Sequence, residues 1–262
     1  MLASSNLSIT PTQAIILGVI EGLTEFLPVS STGHMILVSS IMGIQEDAFV
    51  KAFEVIIQLG AILSVLLLYW KRFLPNFSFY SKLMVAFLPA AIIGLAVKKK
   101  IDLILGSPVI VAWSLLIGGV ILFFVDTYFK SEKNEKTCQD LTIKNSFTLG
   151  LIQCLAFIPG VSRSAATIIG GLSLGLKKTE ASEFSFFLAV PTLAGASVVK
   201  LHSSLKVIQS DQWGILLLGS GIAFIVAALS IKAFMYFAQR FGFRIFGIYR
   251  IILGTFILFY FR

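Results

Sequence analysis

Six apolar runs constrain this chain more than any other feature: Phe53–Trp70, Leu83–Val97, Leu103–Val125, Phe184–Val199, Gly214–Phe237 and Ile245–Phe261. A helix needs about 20 mostly apolar residues to cross the hydrocarbon of a bilayer, within a range of about 17–25. Leu83–Val97 and Phe184–Val199 fall short and must borrow flanking residues, with Lys82 and Lys98 snorkelling to the interface. Composition agrees. With 57% hydrophobic and 13% charged residues and a mean hydropathy of +0.93, too little polar surface remains for a water-soluble domain. No segment shows the alternation of a membrane barrel, so the expected fold is all-α and membrane-integral.

Two polar breaks interrupt shorter apolar segments. Ile15–Leu27 and Met35–Met42 flank PVSSTG, and Phe147–Ile158 and Ala165–Leu176 flank PGVSRS. Each pair reads as a re-entrant hairpin of two short helices, because irregular backbone at membrane depth is tolerated only where protein buries it or a cavity adjoins it. The stretch GVIEGLTEFLPVSSTG from Gly18 lies over GLIQCLAFIPGVSRS from Gly150 with a one-residue slip, matching Glu21 to Gln153 and Pro28 to Pro159. Three spans follow each hairpin, and an odd number obliges the second half to enter from the opposite face. The expected architecture is a single polytopic membrane domain, residues 1–262, with six transmembrane helices plus two re-entrant helical hairpins in an inverted-topology repeat. Its halves run about 9–125 and 146–262, linked by an exposed loop, 126–145.

The net charge of +8 does not indicate nucleic acid. The basic residues gather in short segments between apolar runs, as topology signals and contacts for anionic lipid do. Lys71, Arg72, Lys82, Lys130, Lys133, Lys136, Lys144, Lys177, Lys178, Arg240 and Arg244 fall on one side. Lys51, Lys98, Lys99, Lys100, Lys200, Lys206 and Arg262 fall on the other. The larger set is expected in the cytoplasm, which leaves both termini outside, although the Lys98–Lys100 run opposes this. Cys138 and Cys154 form no CxxC and suggest neither a disulfide framework nor a zinc site. The first twelve residues lack Lys and Arg, so no cleaved signal peptide is expected.

The most polar cluster sits inside this apolar setting. Glu21 and Glu25 are four apart and share one helical face. If buried, their repulsion calls for a shared proton or a hard divalent cation such as Mg2+ or Ca2+; an interfacial helix with both groups in water is the alternative. Ser30, Ser31 and Thr32 precede a helix start, where capping is their ordinary role. Such a start also suits a phosphate. His34 lies one turn beyond Ser31, as a reactive or a purely structural histidine, while His202 is expected in a loop. Arg163 is the only arginine in either break; at depth it needs an anion, and its fork matches phosphate oxygens. Glu54, Glu180, Glu183 and Arg250 are expected in structural pairs or at the interface, with Glu54 also able to face the site.

Taken together, EGLTEFLPVSSTGH and PGVSRS resemble the undecaprenyl-diphosphate phosphatase family of bacteria, the bacitracin-resistance proteins, over essentially the whole chain. One departure is Ala165, where that family usually has Gly. The resemblance implies hydrolysis of undecaprenyl diphosphate to undecaprenyl phosphate and inorganic phosphate, recycling the lipid carrier for peptidoglycan synthesis and conferring bacitracin resistance. It also implies a divalent metal cation, and a place in the bacterial cytoplasmic membrane with the site open to the outer side. The oligomeric state stays open, a homodimer included. Carried onto this chain, Glu21 and Glu25 are the metal-holding acidic pair, Ser31 and His34 lie at the reacting phosphate, and Arg163 binds it. Ser30, Thr32, Ser162 and Ser164 are supporting donors. In that reading Ser31 is the nucleophile and His34 its general base or the later acid, with direct attack by water as the open alternative. STGH is also similar to the type 2 phosphatidic acid phosphatases, but the basic motif and second histidine of that family have no counterpart here. A transporter of phosphorylated lipid is the rival, because inverted repeats with broken helices at the midplane are a transporter signature.

Overall fold

The computed structural model describes residues 9–73, 77–104, 106–129 and 136–261. Among these, the helices are α1 (Pro11–Thr24), α2 (Ser31–Ile41), α3 (Ala48–Ile56), α4 (Gln58–Leu68), α5 (Phe77–Ile104), α6 (Pro108–Tyr128), α7 (Ile143–Gln153), α8 (Arg163–Ser173), α9 (Lys178–Ser204), α10 (Trp213–Phe241) and α11 (Arg244–Tyr260). The one β contact among the described residues is an isolated bridge between Lys136 and Leu176. Five segments are long and apolar enough to cross a bilayer: Ala48–Leu68, Phe77–Lys98, Pro108–Tyr128, Lys178–Ser204 and Ser210–Phe241. The remaining expected span is α11, whose 17 residues stand at the short end of the spanning range.

Local chemistry sets these boundaries. Thr10 and Gln13 close a capping box ahead of Pro11, and the Asp47 carboxylate accepts from Phe49 N and Val50 N at 2.8 and 3.0 Å. The expected run Leu103–Val125 is divided, because Ser107 caps a new helix at Pro108, and a proline cannot continue the helix before it. The run Phe53–Trp70 begins instead at Ala48 and is jointed at Ile57. The two short runs lengthen as expected, into helices of 28 and 27 residues. The second helix takes in His202, which is therefore helical rather than in a loop. Lys82 does not reach for headgroups; its ammonium donates to Gln139 O at 2.6 Å.

Of the expected exposed loop 126–145, both ends are helical, since α6 runs through Tyr128 and α7 begins at Ile143. Asp126 anchors it. Its carboxylate takes Lys178 on one oxygen, and Phe243 N at 2.6 Å and Arg244 N at 3.0 Å on the other, which closes the start of α11. Lys130 and Lys133 lie outside the described residues.

Packing is close and reciprocal. α1 lies along α10, α7 along α5, α6 against α11, and α4 against both α9 and α10. Small residues let the backbones touch, which drives helix association where lipid removes the hydrophobic effect between helices. At the α4–α10 crossing a Cβ on Gly60 would run into Ser220 O, whereas a Cβ on Gly221 would meet nothing within 4 Å. Gly60→Ala should therefore destabilise the protein by about 1–3 kcal/mol. Gly221→Ala should be neutral or slightly stabilising. Thermal unfolding of the two variants in detergent checks the contrast, and equal midpoints would contradict the crossing.

Candidate functional site

Both breaks are built around a serine with unusual backbone. Ser30 and Ser162 have φ of 70° and 74°, a region that residues with a Cβ rarely enter and that costs of order 1–3 kcal/mol. Each serine caps the helix it precedes. Ser30 Oγ accepts from Gly33 N at 3.3 Å, and Ser162 Oγ from Ala165 N at 3.2 Å. The tips meet directly, with Ser164 Oγ donating to Leu27 O at 2.7 Å.

At this junction lies a buried polar cluster. Ser31 Oγ donates to Glu25 Oε2 at 2.5 Å, and Arg163 donates to Glu25 Oε1 from Nε at 3.4 Å and from Nη2 at 3.3 Å. Arg163 Nη1 reaches Ser185 O at 2.8 Å, and Thr167 of α8 is bonded to Ser185 Oγ at 2.7 Å. Glu25, Ser31 and Arg163 are 6%, 7% and 9% exposed, so the ion pair is screened from water. Residues far apart in sequence thus converge as expected, with Glu25 the bridge between Ser31 and Arg163.

Glu21 is in a different condition. It is fully buried, and neither carboxylate oxygen has a donor unless a proton is shared with Glu25 on the same face of α1. It lines a cavity of about 530 Å3 together with Thr32, Ser39, Glu54, Lys98 and Lys200. Glu54 Oε1 also lacks a partner. Unanswered carboxylates at depth require a proton or a cation, and an all-oxygen donor set suits a hard cation. The described residues contain no ready-made group of three His, Cys, Asp or Glu ligands. Two carboxylates with water and substrate oxygens are the donors that this site can offer.

His34 is placed differently from the spacing argument. Its Nδ1 is 2.8 Å from Ser30 O and its Nε2 is 2.6 Å from the Tyr249 hydroxyl, with the two rings stacked at 5.6 Å. A carbonyl only accepts, so Nδ1 carries the proton and Nε2 accepts from Tyr249. Both ring nitrogens are engaged elsewhere, and the acceptor of the Ser31 hydroxyl in this geometry is Glu25. Ser30 and Ser162 act as caps, Ser164 as the tip-to-tip donor, and Thr32 faces the cavity.

Glu180 and Glu183 form the expected structural pairs, with Arg72 at 4.0 and 3.0 Å. Arg250 does not. It is neither paired nor interfacial but completely buried. Tyr249 and Ser185 have no signal in the sequence: an aromatic residue in an apolar run and one serine among many look ordinary.

The family model for the bacitracin resistance protein BacA matches residues 14–256 of this chain. A protein named undecaprenyl-diphosphatase from Bdellovibrio bacteriovorus is 60% identical over 247 residues, covering 94% of each chain. Proteins of the same name are 53% identical in Flavobacterium psychrophilum, over 94% of each chain, and 42% identical in Aquifex aeolicus, over 94% of this chain and 96% of that one.

The two serine caps yield a test. Ser30→Ala keeps the Cβ in an unfavourable conformation and removes the cap oxygen, which should cost about 0.5–2 kcal/mol. Ser30→Gly loses the same oxygen but relieves the backbone, and should be the milder change. The same order should hold for Ser162→Ala and Ser162→Gly, read as unfolding midpoints in detergent. Alanine tolerated better than glycine at both positions would refute the assigned backbone.

Proposed function

This chain belongs to the bacitracin resistance protein BacA family, and we propose that it hydrolyses undecaprenyl diphosphate to undecaprenyl phosphate and inorganic phosphate. It does so in the bacterial cytoplasmic membrane, recycling the lipid carrier for peptidoglycan synthesis and conferring bacitracin resistance. The observation that carries the reading is the Ser31 hydroxyl donating at 2.5 Å to a carboxylate whose other oxygen faces the Arg163 guanidinium.

In this mechanism Ser31 Oγ bonds to the terminal phosphorus as its proton passes to Glu25. The bond from that phosphorus to the bridging oxygen breaks, and undecaprenyl phosphate leaves. Water then hydrolyses the phosphoserine and releases inorganic phosphate. Arg163 holds Glu25 only through contacts of 3.3 and 3.4 Å, so a phosphate oxygen competes well for its fork. The starts of α2 and α8 add N–H groups to the same charge. His34, held by Ser30 O and Tyr249, maintains the shape of the first break. Glu21, with Glu25 beside it, is the residue left to hold a divalent cation, Mg2+ or Ca2+, which when bound neutralises diphosphate charge.

In the same reading α1–α2 and α7–α8 are re-entrant hairpins, α11 is the sixth span, and halves of about 9–125 and 146–262 form an inverted repeat. Support comes from the reciprocal packing of α1 on α10 and α7 on α5, and from the matched caps Ser30 and Ser162. The same reading puts on the outer side the cavity that Lys51, Lys98 and Lys200 surround, with the termini outside. The alternative of transport without cleavage rests on the repeat alone.

Phosphate release separates the two. In detergent micelles with Mg2+ or Ca2+, the protein should release phosphate from lipid diphosphate, and an acid quench should trap a phosphoserine at residue 31. Ser31→Ala and Glu25→Gln should each lower kcat by more than about 100-fold. Binding of lipid diphosphate with no phosphate released would establish the transporter instead, and an active Ser31→Ala would hand the attack to water.

A further inference from the structure

Arg250 of α11 is the largest fully buried side chain among the described residues, and its guanidinium takes part in none of their ion pairs. Among the described residues, its hydrogen bonds all go to backbone carbonyls. Nη1 donates to Pro28 O at 3.1 Å and Val161 O at 3.0 Å; Nη2 donates to Gly160 O at 2.9 Å and Ser114 O at 3.0 Å; Nε lies 3.5 Å from Leu115 O. Pro28 belongs to the first break, Gly160 and Val161 to the second, and Ser114 and Leu115 to α6. The planar fork with five donors is what such a set of acceptors requires.

The surroundings are fitted to this group. A Cβ on Gly118 would collide with Nη2 and come within 2.9 Å of Cζ. Gly160 has φ of +92°, a conformation that favours glycine, and a side chain there would come within 2.6 Å of Val111 O. One guanidinium therefore ties both breaks to a common spanning helix while standing outside the Glu25–Ser31–Arg163 cluster.

We propose that Arg250 is a positioning residue for the reaction: by holding carbonyls of both breaks at once, it fixes the placement of Ser31 against Arg163. The inference rests on the phosphatase reading for its kinetic consequence but not for its structural one. Lysine carries the charge but has only three donors at a single point, so two or more carbonyls lose their partner and the breaks shift. A shift of that kind costs turnover more than affinity, because the headgroup contacts remain while their alignment does not.

The test uses the full chain in detergent. Arg250→Lys should lower kcat by about 10- to 100-fold with KM within about threefold of wild type. Gly118→Ala, which leaves the arginine but crowds its fork, should do the same to a smaller degree. The double variant should be little worse than Arg250→Lys alone, as expected for two changes acting through one group. Amide exchange gives a readout independent of activity: segments 27–33 and 159–165 should exchange faster together in Arg250→Lys. If Arg250→Lys does not fold, Gly118→Ala decides by the same measurements. Wild-type kcat in a folded variant, a loss confined to KM, or faster exchange restricted to α6 and α11 would each overturn the proposal. A wild type that releases no phosphate sinks the phosphatase reading, and the exchange measurement still decides whether Arg250 holds the breaks.

Discussion

A broken helix frees backbone groups that need partners wherever water is excluded, and the buried polar centre of this molecule supplies them at two breaks. Freed carbonyls are met by cations and hydroxyls: Arg250 for Pro28, Gly160 and Val161, and Ser164 for Leu27. Freed N–H groups at the starts of α2 and α8 are met in part by the caps Ser30 and Ser162. The first N–H groups beyond the caps have no intrahelical acceptor. A multiply charged anion is the complementary ligand, and a phosphorylated headgroup is one that a membrane supplies.

The charges around this centre are uneven. Glu25 is offset by Arg163, and the charge of Arg250 is spread over carbonyls, while Glu21 and Glu54 carry oxygens without donors. Those unanswered oxygens, rather than any ready ligand cage, are the physical case for a divalent cation at Glu21. The repeat sharpens the point, because Gln153 in the position matched to Glu21 is neutral and bonds Thr192 at 3.3 Å. The second break contributes the arginine and no acid.

Much of this was legible in the sequence where the signal is local. Apolar runs mark the long helices, and PVSSTG and PGVSRS mark the breaks, because both depend on residues close together in the chain. Boundaries went astray where one capping pair, Ser107 with Pro108, cuts a continuous apolar run. The partners of His34 were not legible for another reason: spacing left a reactive and a structural histidine both open, and the ring bonds Ser30 O and Tyr249, 215 residues away. Arg250 stood out as a charge in an apolar run, yet its partners are carbonyls, which no pattern of side chains discloses.

The junction between Ser164 and Leu27, seen beside the Arg250 fork, has a mechanical consequence. Hydrogen bonds from a charged donor contribute about 1.5–3 kcal/mol each, and several of them cross from one break to the other through a single side chain. Parting the tips would pull at least one break's carbonyls off the guanidinium and leave it to those of the other break and of α6. The centre is thus a rivet: the two breaks keep their spacing only while one side chain holds both.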